Sequence, residues 1–318
     1  MIFVNREEDR IRLISHPLSK TLAVMNPPLN HRRSVVLDTD TFNEVDDQFA
    51  LAHLLLSPER IDLEAVYAAP FFNERSASPA DGMEKSYEEI LRVLELIQPR
   101  QVPEIFRGST AYLPDATTPM ESAAAVDLVE RALASKEEKL YVVAIGAATN
   151  IASALLLEPK IAEYIVLVWL GGHAPYWPNT REFNLKQDLH AARVLLDNDV
   201  PLVLIPCNPV ASHLITTVAE LEEQLAPHSK LGAYLTKIVH DYEGNPPGWS
   251  KIIWDISASA WVIEPDWVPT DPVPSPILRD DLTWELRSDR RQILVARQVN
   301  RNKIFADFFA KARQQREK

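Results

Sequence analysis

A single cysteine, Cys207, excludes an internal disulfide and a zinc site built on cysteine. It lies in the apolar run Pro201-Leu202-Val203-Leu204-Ile205-Pro206-Cys207, where a buried, inert thiol is the ordinary reading. No apolar run is long enough to span a membrane as a helix. Clustered basic charge is also missing. Lys and Arg number 33 against 45 Asp and Glu, for a net charge of −12. A nucleic-acid backbone would need the opposite balance, whereas a small nucleoside or sugar would not. Low-complexity linkers and internal repeats are absent. Acidic residues near the N-terminus stand where a secretory leader needs an apolar core, so a reducing, cytoplasmic setting is expected.

What is present is an ordinary globular composition, 46% hydrophobic and 25% charged over 318 residues, enough for a sizeable core. Its most unusual stretch is Val35-Val36-Leu37-Asp38-Thr39-Asp40-Thr41-Phe42-Asn43-Glu44-Val45-Asp46-Asp47. An apolar strand runs into five carboxylates, and a helical pattern follows. A solvated turn with a helix N-cap accounts for Asp46 or Asp47, because helix N-termini favour acids. It does not account for Asp38 and Asp40 at a strand end. Carboxylates crowded at one sheet edge repel each other, and a hard, oxygen-seeking cation would relieve that repulsion.

Beyond this stretch, strands expected at 34–37, 63–69, 102–106, 140–145, 165–170 and 202–205 alternate with helices at 46–56, 84–97, 121–133, 150–157 and 189–196. The pattern implies βαβ units, an α/β fold and a mostly parallel central sheet flanked by helices. Residues 1–33 read as an N-terminal extension and 34–318 as a single domain. The last third looks less regular, with a closing helix at 303–313; its Pro-rich stretch at 265–276 is too short to prove a boundary. In such folds sites gather at the C-terminal ends of strands. That rule collects Asp38, Asp40, Asn73, Gly146–Asn150, Gly171-Gly172-His173 and the polar loop 179–184.

Asp38-Thr39-Asp40-Thr41-Phe42 weakly resembles the phosphotransferase signature of haloacid-dehalogenase-like enzymes, departing from it at Phe42. A broader set resembles the nucleoside hydrolases, calcium-dependent ribohydrolases of inosine, uridine or purine nucleosides. It comprises Asp38-Thr39-Asp40 with Asp46-Asp47 and Ala50-Leu51, the turn Gly146 to Asn150, and Gly171-Gly172. Glu182-Phe183-Asn184 with Asp188 and a late Asp255 complete it, all in family order. The departures are a loop longer by two residues at 41–45, no His-Gly segment between Gly108 and Glu121, and Trp254 in place of a histidine.

The resemblance implies a nucleoside-hydrolase-like fold with a Rossmann-like core. It implies Ca2+ bound by Asp40, Asp47, Asp255 and the Ile145 carbonyl, with Asp40 also the general base. Ribose would be held by Asp46, Glu182 and Asn184, with Asn73 and Asn179 as further sugar contacts. Purine-specific relatives carry a tryptophan like Trp254 that stacks on the base; the ordinary alternative is a core tryptophan. A homodimer or homotetramer is implied, acting on a small nucleoside with no nucleic-acid or membrane partner. The competing expectation is a relative with lost or redirected chemistry that binds a ribosyl or polyol ligand.

Residues alone leave Glu44 either on the surface, its ordinary place, or turned into the site. They leave His173 as a loop residue or a neighbour of the base. Asp188 is expected to cap the helix beginning at Leu189, Thr149 and Asn150 to fix a turn, and residues 112–120 to set specificity. Glu220 and Glu223 read as solvated charge.

Overall fold

The computed structural model describes residues 31–135 and 138–315. The extension expected over 1–33 lies outside the described residues except for its last three. Eight strands form the main sheet: β1 Arg33–Thr39, β2 Ile61–Ala68, β3 Glu104–Arg107, β4 Leu140–Ala144, β5 Ile165–Leu170, β6 Leu202–Ile205, β7 Thr270–Pro274 and β8 Gln292–Ala296. Their spatial order is β3-β2-β1-β4-β5-β6-β8-β7. Every neighbouring pair is parallel except β8 with β7.

Both faces of the sheet are covered, which is why its central strands β4, β5 and β6 are buried and apolar throughout rather than alternating with polar residues. Val35 and Leu37 point into one core and Val36 into the other, as the two-residue period of a strand requires. The first core packs helices Asp47–Leu55, Pro79–Ile97, Lys230–Glu243, Ile256–Ile263 and Arg301–Gln314. The second packs Ala123–Ala134, Thr149–Leu157 and Leu189–Asp197. The helices at 79, 123 and 230 begin with a Ser side chain accepting a first-turn N–H, at Ser78, Ser122 and Ser229. Asp188 does the same for Leu189–Asp197, as expected.

The last third is more regular than its sequence suggests. Ser229 starts a fourteen-residue amphipathic helix, Lys230–Glu243, that the sequence reading missed. Instead of a domain boundary, the Pro-rich stretch forms the edge strand β7, whose Pro272 and Pro274 stand opposite Leu294 and Gln292 of β8. An edge strand tolerates proline because one side has no hydrogen-bond partner to lose. Glu220 is not simply solvated: its carboxylate pairs with Arg301 and accepts from Thr216 Oγ1 at 2.7 Å.

The chain moves outward from β1 through β2 to β3, returns to β4 beside β1, and then moves the other way. The reversal leaves a crevice beyond the C-terminal ends of β1 and β4. Asp38 is in register with Ala144, and Ile145 N–H donates to the Asp38 carbonyl at 2.9 Å. The segments carrying Asp40 and Ile145 therefore leave the sheet side by side.

Candidate active site

At this crevice lies a cavity of about 250 Å³. Asp40, Asp46, Asp47, Ile145, Glu182, Asn184, Trp254 and Asp255 all line it. Two expected sugar contacts do not. Asn73 instead donates to the side-chain oxygen of Asn43 at 2.7 Å, and Asn43 is on the wall. Asn179 accepts the Arg181 N–H at 3.1 Å and so shapes its own loop.

The carboxylates are placed by helix starts that do not use them as caps. Asp46 and Asp255 occupy the N-cap positions of Asp47–Leu55 and Ile256–Ile263, and neither side chain makes a capping hydrogen bond. Both stay free for the cavity while sharing the favourable end of a helix dipole. Asp46 Oδ2 instead accepts the Trp254 N–H at 3.0 Å, tying the two helix starts together. Asp47 accepts from Thr39 Oγ1 at 2.5 Å. Asp38 accepts from Asn150 Nδ2 at 2.8 Å, and Asn150 Oδ1 accepts the Ser109 N–H, so Asn150 fixes its turn as expected.

Burial dominates the electrostatics. None of Asp40, Asp46, Asp47 and Asp255 is more than 4% exposed. Loss of solvation, reinforced by neighbouring carboxylates, lifts the pKa of Asp47 to about 7 and those of Asp40 and Asp255 well above the usual range. The carboxylates of Asp46, Asp47 and Asp255 lie close together, and after burial the repulsion from Asp46 and Asp47 is what raises Asp255 most. Neither oxygen of Asp40 has a hydrogen-bond partner among the described residues, although both are buried. A buried acceptor without a donor is costly.

These features fit a cation. One oxygen each from Asp46, Asp47 and Asp255 lies within 4.8 Å of the others, the spread expected for ligands about 2.4 Å from a common centre. The donors are all oxygen, as a hard divalent ion prefers. The Ile145 carbonyl is at the same wall and already accepts Asn184 Nδ2 at 3.0 Å.

On the opposite wall the Glu182 carboxylate accepts N–H groups from Gly172 at 2.8 Å, Asn184 at 2.8 Å and Leu185 at 3.0 Å. The Gly-Gly turn needs glycine: Gly172 has φ +65°, and a Cβ there would stand 2.5 Å from Thr180 Oγ1. Asn184 donates Nδ2 to the carbonyls of Ile145 and Leu170, which leaves Oδ1 for the cavity. Trp254 is half-buried, packing partly on the core and partly lining the cavity.

Sequence reasoning missed part of the wall. Cys207 is the buried thiol expected, its pKa pushed well up by burial, but it also lines the cavity. Asn208 is beside it. The strand-end rule would have found both had it been applied to β6. His173 also lines the cavity, its Nδ1 accepting the Asn208 N–H at 3.3 Å. Glu44 is half-buried on the wall rather than on the surface. No residue of 112–120 lines the cavity; Tyr112 bonds Gln187, and Leu113 N–H donates to Asp188 at 2.9 Å.

The profile of the family described as inosine-uridine preferring nucleoside hydrolase matches residues 35–306. A pyrimidine-specific ribonucleoside hydrolase, RihA of Escherichia coli O81 (strain ED1a), is 25% identical over 193 residues, 54% of this chain. The match spans 58% of that relative's length. Among solved structures, a purine-preferring ribonucleoside hydrolase from Gardnerella vaginalis shares the fold with a TM-score of 0.70 at 20% identity, covering 88% of this chain and 98% of that one. An inosine-guanosine nucleoside hydrolase does so with a TM-score of 0.72 at 17% identity, covering 89% and 99%.

Proposed function

Because this chain belongs to the inosine-uridine preferring nucleoside hydrolase family, we propose that it hydrolyses the N-glycosidic bond of ribonucleosides, purine nucleosides above others, with calcium in the acidic cavity. The observation that carries this reading is the convergence of four buried carboxylates, the Ile145 main-chain carbonyl and the Asn184 amide at one crevice.

Asp47 and Asp255, two of the three clustered carboxylates, would hold the ion together with Asp40 and the Ile145 carbonyl, leaving the third, Asp46, for the sugar; the ion when bound would lower the pKa of a water and accept ribose hydroxyls as ligands. Asp40 then takes the proton from the attacking water. Its oxygens are free of donors among the described residues, and burial raises its proton affinity, both of which suit a base. Asp46 accepts from the sugar while the Trp254 N–H holds it in place. Asn184 Oδ1 accepts from a second hydroxyl. Glu182, held by three N–H groups, keeps a fixed orientation at the sugar's edge. Asn73 acts on the sugar only through Asn43. The Trp254 indole supplies an aromatic face for a purine, which supports the purine preference. The named relatives divide on this point, one pyrimidine-specific and one purine-preferring.

Ribose release from inosine, adenosine, guanosine, uridine and cytidine, with calcium and after chelation, tests the reading. Chelation-sensitive release with a purine excess supports every part of it. Release favouring uridine and cytidine removes the purine preference alone. Tight ribose binding with no release would favour the redirected relative instead.

A further inference from the structure

The loop between Asp40 and Asp46 is two residues longer than the family pattern, and it carries Glu44. The loop is pinned throughout. Gln48 Nε2 donates to the Thr41 carbonyl at 2.8 Å, Asn73 holds Asn43, and Arg75 Nη1 donates to the Glu44 carbonyl at 2.9 Å. These bonds fix Glu44 at the cavity wall, where its carboxylate pairs with the ammonium of Lys251. Lys251 comes from a two-residue strand far along the chain and is only 5% exposed. The same ammonium is 3.6 Å from Asp46 Oδ1 and 5.2 Å from the centre of the Tyr242 ring. Burial alone would discharge a lysine, but Asp46 and Glu44 outweigh it and hold its pKa above the usual value.

Lys251 therefore puts a fixed positive charge directly against Glu44 and Asp46, two of the six carboxylates on a wall that also carries Arg181, His173 and Cys207. Among the described residues it is within ion-pair distance of both Glu44 and Asp46. In the cation-free protein it offsets part of their repulsion. Toward a divalent ion beside Asp46 it acts in the opposite sense, as a like charge at short range. Glu44 screens that charge by pairing with it.

We propose that Lys251 is a built-in counter-ion that lowers the affinity of the acidic cavity for its divalent cation, and that Glu44 offsets this effect. The inference rests on the cation reading of the cavity given above.

The test is thermal unfolding of the metal-stripped full chain across a CaCl2 titration, which reads cation binding independently of turnover. Lys251→Met should lower the calcium midpoint about tenfold and reduce the melting temperature without calcium. Glu44→Gln should raise the midpoint about tenfold. The double variant, whose net charge equals that of the wild type, should return to within about threefold of it. A merely structural brace would weaken calcium binding in all three, and that ordering overturns the proposal. Should Lys251→Met not fold, Glu44→Gln decides alone: an unchanged or lowered midpoint overturns it. If calcium fails to stabilise the wild type, the cation reading of the cavity falls, and this inference with it; a wrong ordering of the variants removes only this inference.

Discussion

Asp40 carries two buried oxygens that no donor among the described residues satisfies, so it weakens the cation-free fold while suiting the reaction. Replacing it with Asn should reduce ribose release by about 10³-fold, the scale of a lost general base. The same change should raise the melting temperature of chelator-treated protein, because a buried, poorly solvated carboxyl has been removed. Ribose release and a melting curve on one preparation check both signs. Trp254→Ala should lower kcat/KM for inosine about fivefold more than for uridine, from the loss of an aromatic contact of about 1 kcal/mol. Equal losses on the two substrates would leave Trp254 as core packing. Both residues were visible in the sequence because each is beside an acidic motif. Asn208 and Cys207 were not placed at the site, because the strand-end rule was not carried to the end of β6, where both residues follow.

At the level of elements, the helices Asp47–Leu55 and Ile256–Ile263 present Asp46, Asp47 and Asp255 together, and His53 locks these helices to Arg301–Gln314. Its ring is fully buried, with Nδ1 3.1 Å from Ser259 Oγ and Nε2 2.9 Å from Asp307. Lys311 is 2.7 Å from the same carboxylate. Burial lowers the His53 pKa below its ordinary value of 6.5, with Lys311 adding to the shift and Asp307 opposing it. The folded ring is therefore neutral where the unfolded one is already protonated. Its contribution is complete above pH 6.5 and is lost as pH falls from there toward the folded pKa, by at most about 1.4 kcal/mol per pH unit. His53→Gln, which keeps hydrogen-bonding capacity but cannot titrate, should close this gap. Melting temperatures at pH 7.5 and 5.5 should fall less for the variant than for the wild type. Phe308, also fully buried and 5.5 Å from the Phe49 ring, should cost about 3–5 kcal/mol when cut to Ala, measured by denaturant unfolding. The helix carrying Phe308 was legible from its periodicity. Lys230–Glu243 was not, because its apolar positions are interleaved with charge and no motif drew attention to it.

Across the whole molecule, the last strand in sequence is not at the edge of the sheet: β8 sits between β6 and β7, and the following helix seals one core with Phe305 and Phe308. A chain ending at residue 290 would leave β6 with an open edge and uncover that core. It should show no cooperative thermal transition, whereas trimming only residues 316–318 should leave the transition unchanged. Circular dichroism melts of the two truncations against the full chain distinguish the outcomes.

The sequence by itself determined the strand–helix alternation, the parallel sheet, the acidic edge after β1 and the family motifs. Each of these is written in neighbouring residues: a strand repeats every two positions, a helix every 3.6, and a motif lies within a dozen. Only the tertiary structure decided the strand order, the place of the Pro-rich segment and the partner of Glu44. Lys251 is 207 positions from Glu44, and they meet because the fold carries both segments to one cavity wall. No local pattern encodes that meeting. Charge pairing across such a distance follows from where the chain is packed, and the packing minimises the free energy of the whole core rather than of either segment.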